Sequence, residues 1–478
     1  MADFAMRMIL SATKGRLAGG PAPEALHGVS TDTRTITPGA LFVALRGESF
    51  DGHSFVGQAF SRGAGAALVA REVEAAGPLI VVADTLIALG ALAKAHRLAR
   101  RSPSEGGAAQ AVTVLAITGS TGKTTTKEMI ASILAQGWRT AKTPGNFNNE
   151  IGVPLALLGL ESSHRAAVIE LAMRGRGQIA YLADMARPQI GVITNIGFSH
   201  LELLGSREAI AETKAELLQA LPADGAAVLN ADNEFFPFLK ARSPARVISI
   251  GQHPDADVRV GDVVIGEDGG VSARLKGWWG EEQVHLRAAG RHQALNAAAA
   301  AAAAMAAGAQ PEWIAPGLQA FETADMRGEI VKAPGGYTVI ADCYNAAPDS
   351  MRVALELLAD LPGRRKWAVL GDMKELGAMT EDWHREVGAM AAASGIAGLI
   401  TVGELGRLIA EGARGAGPPT CAAPPLHVEA AGGNASAAAA IRKRLEPGDV
   451  VLVKGSRAMK MEEIVAALLE SKGVPAHG

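Results

Sequence analysis

Short apolar runs recur along this chain, and most of them hand over to stretches with helical spacing. In its middle part AVTVLAIT (111–118), AAVIEL (166–171), IGVITNIG (190–197), GAAVLNAD (225–232) and RVISIG (246–251) read as strands. After the first of these, Met129, Ile130, Ile133 and Leu134 share one face of a helix that begins at Thr124, and Gly137 supplies a stop. Strands that alternate with helices predict a mostly parallel sheet. Residues 255–277 differ: short strands with turn signals predict a small antiparallel insertion. GRHQALNAAAAAAAAMAAGAQP (290–311) is a strong helix former closed by Gly308 and Pro311. Beyond it GYTVIADCYN (336–345), KWAVLGDM (366–373), AGLITVGE (397–404) and DVVLVKGS (449–456) resume the alternation and predict a further α/β unit.

Two stretches break the pattern. RSPSEGGAAQ (101–110) is polar, rich in turn formers and without period, and reads as a linker; a second boundary falls near Thr323 to Asp325. The resulting expectation is three α/β units, 1–110, 111–324 and 325–478, which suits 478 residues at about 150 per domain. No internal repeat is visible.

Composition narrows the class. Hydrophobic residues make up 48% and charged ones 20%, enough for several cores. A net charge of -3 offers no general basic face for nucleic acid or a membrane surface, and RLARR (97–101) and GRRK (363–366) read as solvated faces. Only Cys343 and Cys421 are present, so neither a disulfide framework nor a cysteine zinc site is expected, and a reducing compartment is. The first residues carry Asp3 and Arg7 and make a poor signal peptide, while the alanine run is too weakly apolar for a membrane span. These features together predict a cytoplasmic protein.

AITGSTGKTT (116–125) carries the first chemistry. It looks like a phosphate loop, yet Ile117 stands where the usual G-x-x-x-x-G-K-[ST] pattern has glycine. Such a loop works because backbone N–H groups converge on an anion at a helix N-terminus. Gly119 and Gly122 permit that backbone, Lys123 reaches terminal phosphates, and the Thr124 hydroxyl suits Mg²⁺. The alternative is a glycine-rich turn with a coincidental lysine, against which stands the strand before it and the helix after. Glu170 closes a strand, where open α/β sheets place ligands, and is either a Mg²⁺-facing carboxylate or a surface residue on an edge strand. His200, read alone, is a packed or surface histidine.

Together the motifs resemble the Mur ligases, which build the peptidoglycan precursor. TGSTGKTT (118–125) resembles their ATP loop, with its displaced glycine. VSTDTRTITPGALFVALRGESFDGHSF (29–55) resembles a uridine-nucleotide-binding start, and GNFNNEIGVPL (145–155) the substrate segment after the loop. DCYNAAPDSM (342–351), LGDMKELG (370–377) and VKGSRAMKMEE (453–463) are the most specific, and resemble the branch that adds D-alanyl-D-alanine.

The resemblance implies a central phosphate-loop domain with a parallel sheet, flanked by an N-terminal nucleotide-sugar-binding domain and a Rossmann-like third domain. It implies ATP and Mg²⁺ as cofactors. Ser120, Thr121 and Thr125 join Gly119, Gly122, Lys123 and Thr124 as ATP-loop residues, with Glu170 and His200 at magnesium positions. Lys214 matches a lysine carried as a carbamate beside a second Mg²⁺. His292 and Asn296 match adenine-side positions, with Gln293 where the family often has Asn; Asp342 and Asn345, with Tyr344 nearby, lie on the ribose side. Arg327 is a phosphate contact, although Met326 stands before it where relatives often have Gly, and Ala347 replaces a common Asn. Asp32, Thr33, Arg34, Arg46 and Gly47, with Asn146, Asn148 and Asn149, are carried over as substrate-binding residues.

The implied reaction is ATP-dependent amide formation that joins D-alanyl-D-alanine to a UDP-N-acetylmuramoyl-tripeptide through an acyl phosphate. Closure of the third domain over ATP is expected, and no partner beyond these small molecules; a monomer suffices. The ligase that adds the preceding amino acid typically shows Asp-Asn-Pro-Arg, absent here. Folylpolyglutamate synthases lack the TDTR…DGHSF segment, and a GTPase would need Asn-Lys-x-Asp, also absent. A non-catalytic UDP-sugar sensor would not need Lys123, Thr124, Glu170 and Lys214 together.

Overall fold

Three sheets account for most strands in the computed structural model, which describes residues 3–102, 110–323, 326–416 and 426–470. Residues 103–109 of the expected first linker, Ala324 and Asp325 at the second boundary, and Cys421 lie outside the described residues.

The N-terminal sheet has five strands in the order Arg16–Ala18, Leu79–Val81, Ala66–Val69, Leu41–Val43, Val29–Ser30, parallel except for the first. Helix Thr85–Ala99 leaves this sheet to pack on helices Gly152–Leu158 and Gln178–Ala186 of the central unit. Its Asp84 cap accepts the N–H of Leu86 and Ile87 at 2.8 and 2.9 Å. Its far end is held by buried Arg97, whose Nε donates to the carbonyl of Ala186 at 3.1 Å, and by His96 against the carbonyl of Leu160 at 2.9 Å. One continuous apolar cluster therefore runs from Phe4 and Leu92 to Leu157 and Leu182.

The central sheet has nine strands, with Thr113–Thr118 between Ala166–Glu170 and Ile190–Ile193. Strand order reverses there, which opens a crevice at the carboxyl ends. The antiparallel stretch is not a separate insertion. Val258–Ile265 pairs in parallel with Arg246–Gly251, and Gly270–Gly277 and Gly280–Ala289 extend the same sheet antiparallel. The reason is burial on one face: Val258, Val260, Val271, Ala273, Leu275, Val284 and Leu286 turn inward into the core beneath helix His292–Ala306. That helix buries Ala297 through Ala304 and packs against the phosphate-loop helix Lys123–Leu134. No described helix is long and apolar enough to cross a membrane.

The third sheet has six strands in the order Glu329–Lys332, Thr338–Asp342, Val450–Lys454, Lys366–Gly371, Gly398–Val402, His427–Ala431, parallel but for the first. Its carboxyl ends face the central crevice across one cavity.

Candidate active site

The position that lacked a glycine is strand. Ile117 lies opposite Glu170 and Val192 in parallel register and is fully buried. The loop turns after Thr118, where Gly119 has φ 151° and Gly122 φ 79°. A Cβ on Gly119 would run into the Thr194 hydroxyl, and one on Gly122 would lie 2.6 Å from Asn296 Oδ1. Both glycines are required by close approach.

Asn195 shapes the loop from the neighbouring strand end. Its Oδ1 accepts the N–H of Ser120 and Thr121 at 3.1 and 2.9 Å, and its Nδ2 donates to Thr121 Oγ1 at 2.7 Å. Lys123 Nζ donates to the carbonyls of Gly119 and Ser120 at 2.7 and 3.3 Å. Burial holds its pKa below the usual lysine range, opposed by Glu170 and assisted by Arg327.

Glu170 is not on an edge. It is 1% exposed on an inner strand, with Oε1 accepting from Asn148 Nδ2 at 2.7 Å. Its Oε2 is buried without a hydrogen bond, 3.8 Å from Lys127 Nζ. His200 caps helix Leu201–Leu204 with φ 68°, and its Nδ1 lies 2.9 Å from Glu375 Oε2 of the third unit. That approach lacks hydrogen-bond alignment and leaves the buried Nδ1 unpartnered. Burial first, then Lys214, Lys123 and Arg174, push the imidazole down to about 4, so it is neutral at physiological pH.

Lys214, on helix Arg207–Gln219, is 1% exposed and sits behind the cavity rather than on its wall. That position lies within a packed face. Among the described residues its ammonium has no hydrogen-bond or ion-pair partner, and burial, then Lys123, lowers its pKa well below the usual lysine value.

The cavity, about 900 Å³, is walled by both the central and third units. Ser120 through Thr125, Asn146, Asn148, Asn149, Glu170, His200, His292, Asn296, Arg327, Asp342 and Asn345 all line it. Asn146 Nδ2 donates to Tyr344 Oη at 3.0 Å, and the Arg327 guanidinium lies 4.0 Å over the Tyr344 ring. Asn149 Oδ1 accepts the N–H of Ile151 and Gly152, which starts the following helix. His292 is pushed down to about 4, chiefly by burial, and Asn296 donates to Gln293 Oε1 at 2.9 Å. Met326 has φ 58°, the left-handed region that glycine enters without strain, so the departure at this position has a backbone cost.

Asp32, Thr33, Arg34, Arg46 and Gly47 do not line this cavity. They cluster on the N-terminal sheet, where Arg34 pairs with Asp32 at 2.7 Å and holds that carboxyl down to about 2. Thr33 Oγ1 donates to Gln58 Oε1 at 2.8 Å, Gly47 N–H donates to the carbonyl of Phe50 at 2.9 Å, and the backbone of Arg46 lies opposite that of Asp51 in an isolated antiparallel bridge.

Sequence reasoning missed several wall residues. Lys454 Nζ pairs with Asp342 at 2.6 Å and donates to the carbonyl of Asn345 at 2.9 Å. It ends a strand, the same signal that singled out Glu170. Asp349 Oδ2 accepts the N–H of Phe198 at 2.9 Å, and the Phe198 ring packs at a tilt against Trp383, 4.4 Å between centroids; both contacts cross between units and carry no sequence signal.

The donor set can be tested against Mg²⁺. Thr124, Glu170 with its unbonded Oε2, and neutral His200 all line the cavity and offer it a hydroxyl, a carboxylate oxygen and an imidazole. This fits an ion that takes few protein ligands and completes its shell with water and phosphate oxygens.

Family models match along the chain: "Mur ligase family, catalytic domain" over 25–97, "Mur ligase middle domain" over 117–304 and "Mur ligase, glutamate ligase domain" over 326–457. The chain is 39% identical to the UDP-N-acetylmuramoyl-tripeptide–D-alanyl-D-alanine ligase of Bacillus subtilis, covering 98% of both. It is 36% identical to that of Escherichia coli, covering 98% of this chain and 99% of that one. Among solved structures, MurF from Acinetobacter baumannii superposes with TM-score 0.89 at 32% identity, covering 98% and 100% of the two chains. MurF from Thermotoga maritima in complex with ADP gives 0.79 at 28%, covering 92% and 96%. A diaminopimelate-adding ligase, at 19% identity and TM-score 0.54, shares the fold alone.

Proposed function

The chain belongs to the Mur ligase family, and on that premise we propose that it joins D-alanyl-D-alanine to a UDP-N-acetylmuramoyl-tripeptide with hydrolysis of ATP to ADP and phosphate. The observation that supports it best is the shared cavity, where Lys123 and Glu170 of the central unit face Arg327 and Asp342 of the third.

The substrate carboxylate attacks the γ-phosphorus, and ADP leaves. The dipeptide amine then attacks the acyl phosphate, and phosphate leaves from the tetrahedral adduct. The obstacle is a carboxylate approaching a polyanion. The loop N–H groups and Lys123 offset that charge, and Arg327 adds a second cation from the opposite wall. Asp342 and Asn345 hold the ribose, and His292 and Asn296 flank the base. Thr124, Glu170 and His200 would hold Mg²⁺, which supplies charge neutralisation on the phosphate oxygens. Asn146, Asn148 and Asn149 orient the tripeptide, and Asp32, Thr33, Arg34, Arg46 and Gly47 hold the uridine nucleotide on the N-terminal sheet.

Lys214 acts as a carbamate. Its neutral amine adds to dissolved CO₂, forming an N–C bond and releasing one proton, and the product offers oxygen where an ammonium would repel a cation. Support comes from a buried amine without a partner. The domains divide near 110 and 324, and the enzyme works as a cytoplasmic monomer.

Phosphate release tests the reading. It should require both the UDP-linked tripeptide and D-alanyl-D-alanine. Equal release without the dipeptide, or with a single amino acid in its place, would overturn it.

A further inference from the structure

Away from the catalytic cavity, the antiparallel end of the central sheet carries a second concavity of about 340 Å³. Arg246, Arg259 and Lys276 line it together with Trp278. Arg259 and Lys276 stand directly opposite one another in the antiparallel register. Like charges in that relation destabilise a strand pair unless something negative lies between them.

One carboxylate, Asp257, shares the concavity, and among the described residues it forms no ion pair with these cations. It accepts the N–H and Oγ of Ser249 at 2.8 and 2.6 Å. Glu281, opposite Lys276 on its other side, pairs with Arg274 at 3.2 Å. Among the described residues the side chains of Arg246, Arg259 and Lys276 have no hydrogen-bond or ion-pair partner.

Trp278 adds a flat apolar face. It is 48% exposed, is backed edge-on by Trp279 at 4.8 Å, and has the Arg246 guanidinium 6.0 Å from its ring. Three unpaired cations beside one indole match a ligand with a planar ring at one end and several negative charges at the other. The volume lies in the range of small-molecule sites. We propose that this concavity is a second nucleotide site, which binds a nucleoside polyphosphate with its base on Trp278 and its phosphates between Arg259, Lys276 and Arg246. None of its residues lines the catalytic cavity.

Equilibrium dialysis of the full chain against ADP tests this. Wild type should bind two equivalents, and the Arg259→Gln/Lys276→Gln double variant one, with ligase turnover unchanged. Retention of the catalytic equivalent shows that the variant is folded. Trp278→Ala should weaken the second equivalent by about tenfold, the scale of one base stacking on an aromatic ring. Adenosine alone and pyrophosphate alone should each bind the site more weakly than ADP. One equivalent in wild type, or two in the double variant, would overturn the site. Pyrophosphate binding as tightly as ADP would overturn the nucleoside assignment, as would an acidic peptide that occupies the site when ADP does not.

Discussion

Lys127 Nζ stands 3.8 Å from Glu170 Oε2 and donates to the carbonyls of Thr143 and Gly145 at 2.9 Å each. One wholly buried ammonium thus ties the phosphate-loop helix to the segment that carries Asn146 and Asn148. Lys127→Met would leave those carbonyls unpaired and Glu170 short of a buried counter-charge. Removing one partner of a buried pair costs about 3–5 kcal/mol. Thermal denaturation should show a clear loss of stability, and turnover should fall in the fraction that remains folded. Wild-type turnover in a folded Lys127→Met protein would contradict this positioning role.

Lys123 has a different expected signature. Among the described residues it bonds only to loop carbonyls, and it stands on the cavity wall. Lys123→Ala should lower phosphate release by at least about a hundredfold, as for loss of one charged stabiliser of a transferring group. Its melting temperature should match wild type.

Lys214 distinguishes carbamate from cation. Lys214→Ala should be nearly inactive, with partial recovery on adding short carboxylates that fill the vacated position. Lys214→Glu should keep some activity, because it retains a negative oxygen. Full activity in Lys214→Arg would exclude the carbamate, since a guanidinium stays positive and offers no oxygen. Labelled bicarbonate should give a carbamate carbon signal in wild type that Lys214→Ala lacks.

The pH dependence of stability has a definite sign. His96 and His292 are each held down to about 4 from 6.5, mainly by burial. Below about 6.5 the unfolded chain therefore takes up protons that the folded chain refuses. Their contribution is complete above that value and declines as pH falls toward 4. Melting temperature should drop between pH 7 and 5, and less so in His96→Gln, whose amide can still donate to the Leu160 carbonyl. A flat profile would contradict it.

Much of this was legible in local pattern. Strand, glycine loop and helix mark the phosphate site because the backbone needs all three in sequence, and Ile117 lies inside the strand, one residue before its end. Residues whose partners lie far along the chain were not legible. Lys454 meets Asp342 only because two parallel strands, 112 residues apart, end together. The antiparallel strands were legible as strands, but their attachment at Ile250 and Val258 depends on a single short ladder that leaves no compositional mark. Asn195 lies in the run read as a strand over 190–197, yet its hold on Ser120 and Thr121 follows from the sheet order.

The alanine-rich helix has a consequence for how this gene can drift. Ala297 through Ala304 are buried on every side, so none of them has a solvent face on which a change would go unnoticed. A single-base replacement in an alanine codon yields Ser, Thr, Pro, Val, Gly, Asp or Glu. Val and Thr are too large for so close a fit, Ser buries a hydroxyl, and Asp or Glu buries a charge. Gly costs about 1 kcal/mol in a helix interior and Pro about 3. A stretch that looks like low-complexity filler should therefore be among the segments slowest to change, held there by the absence of any cheap mutational neighbour.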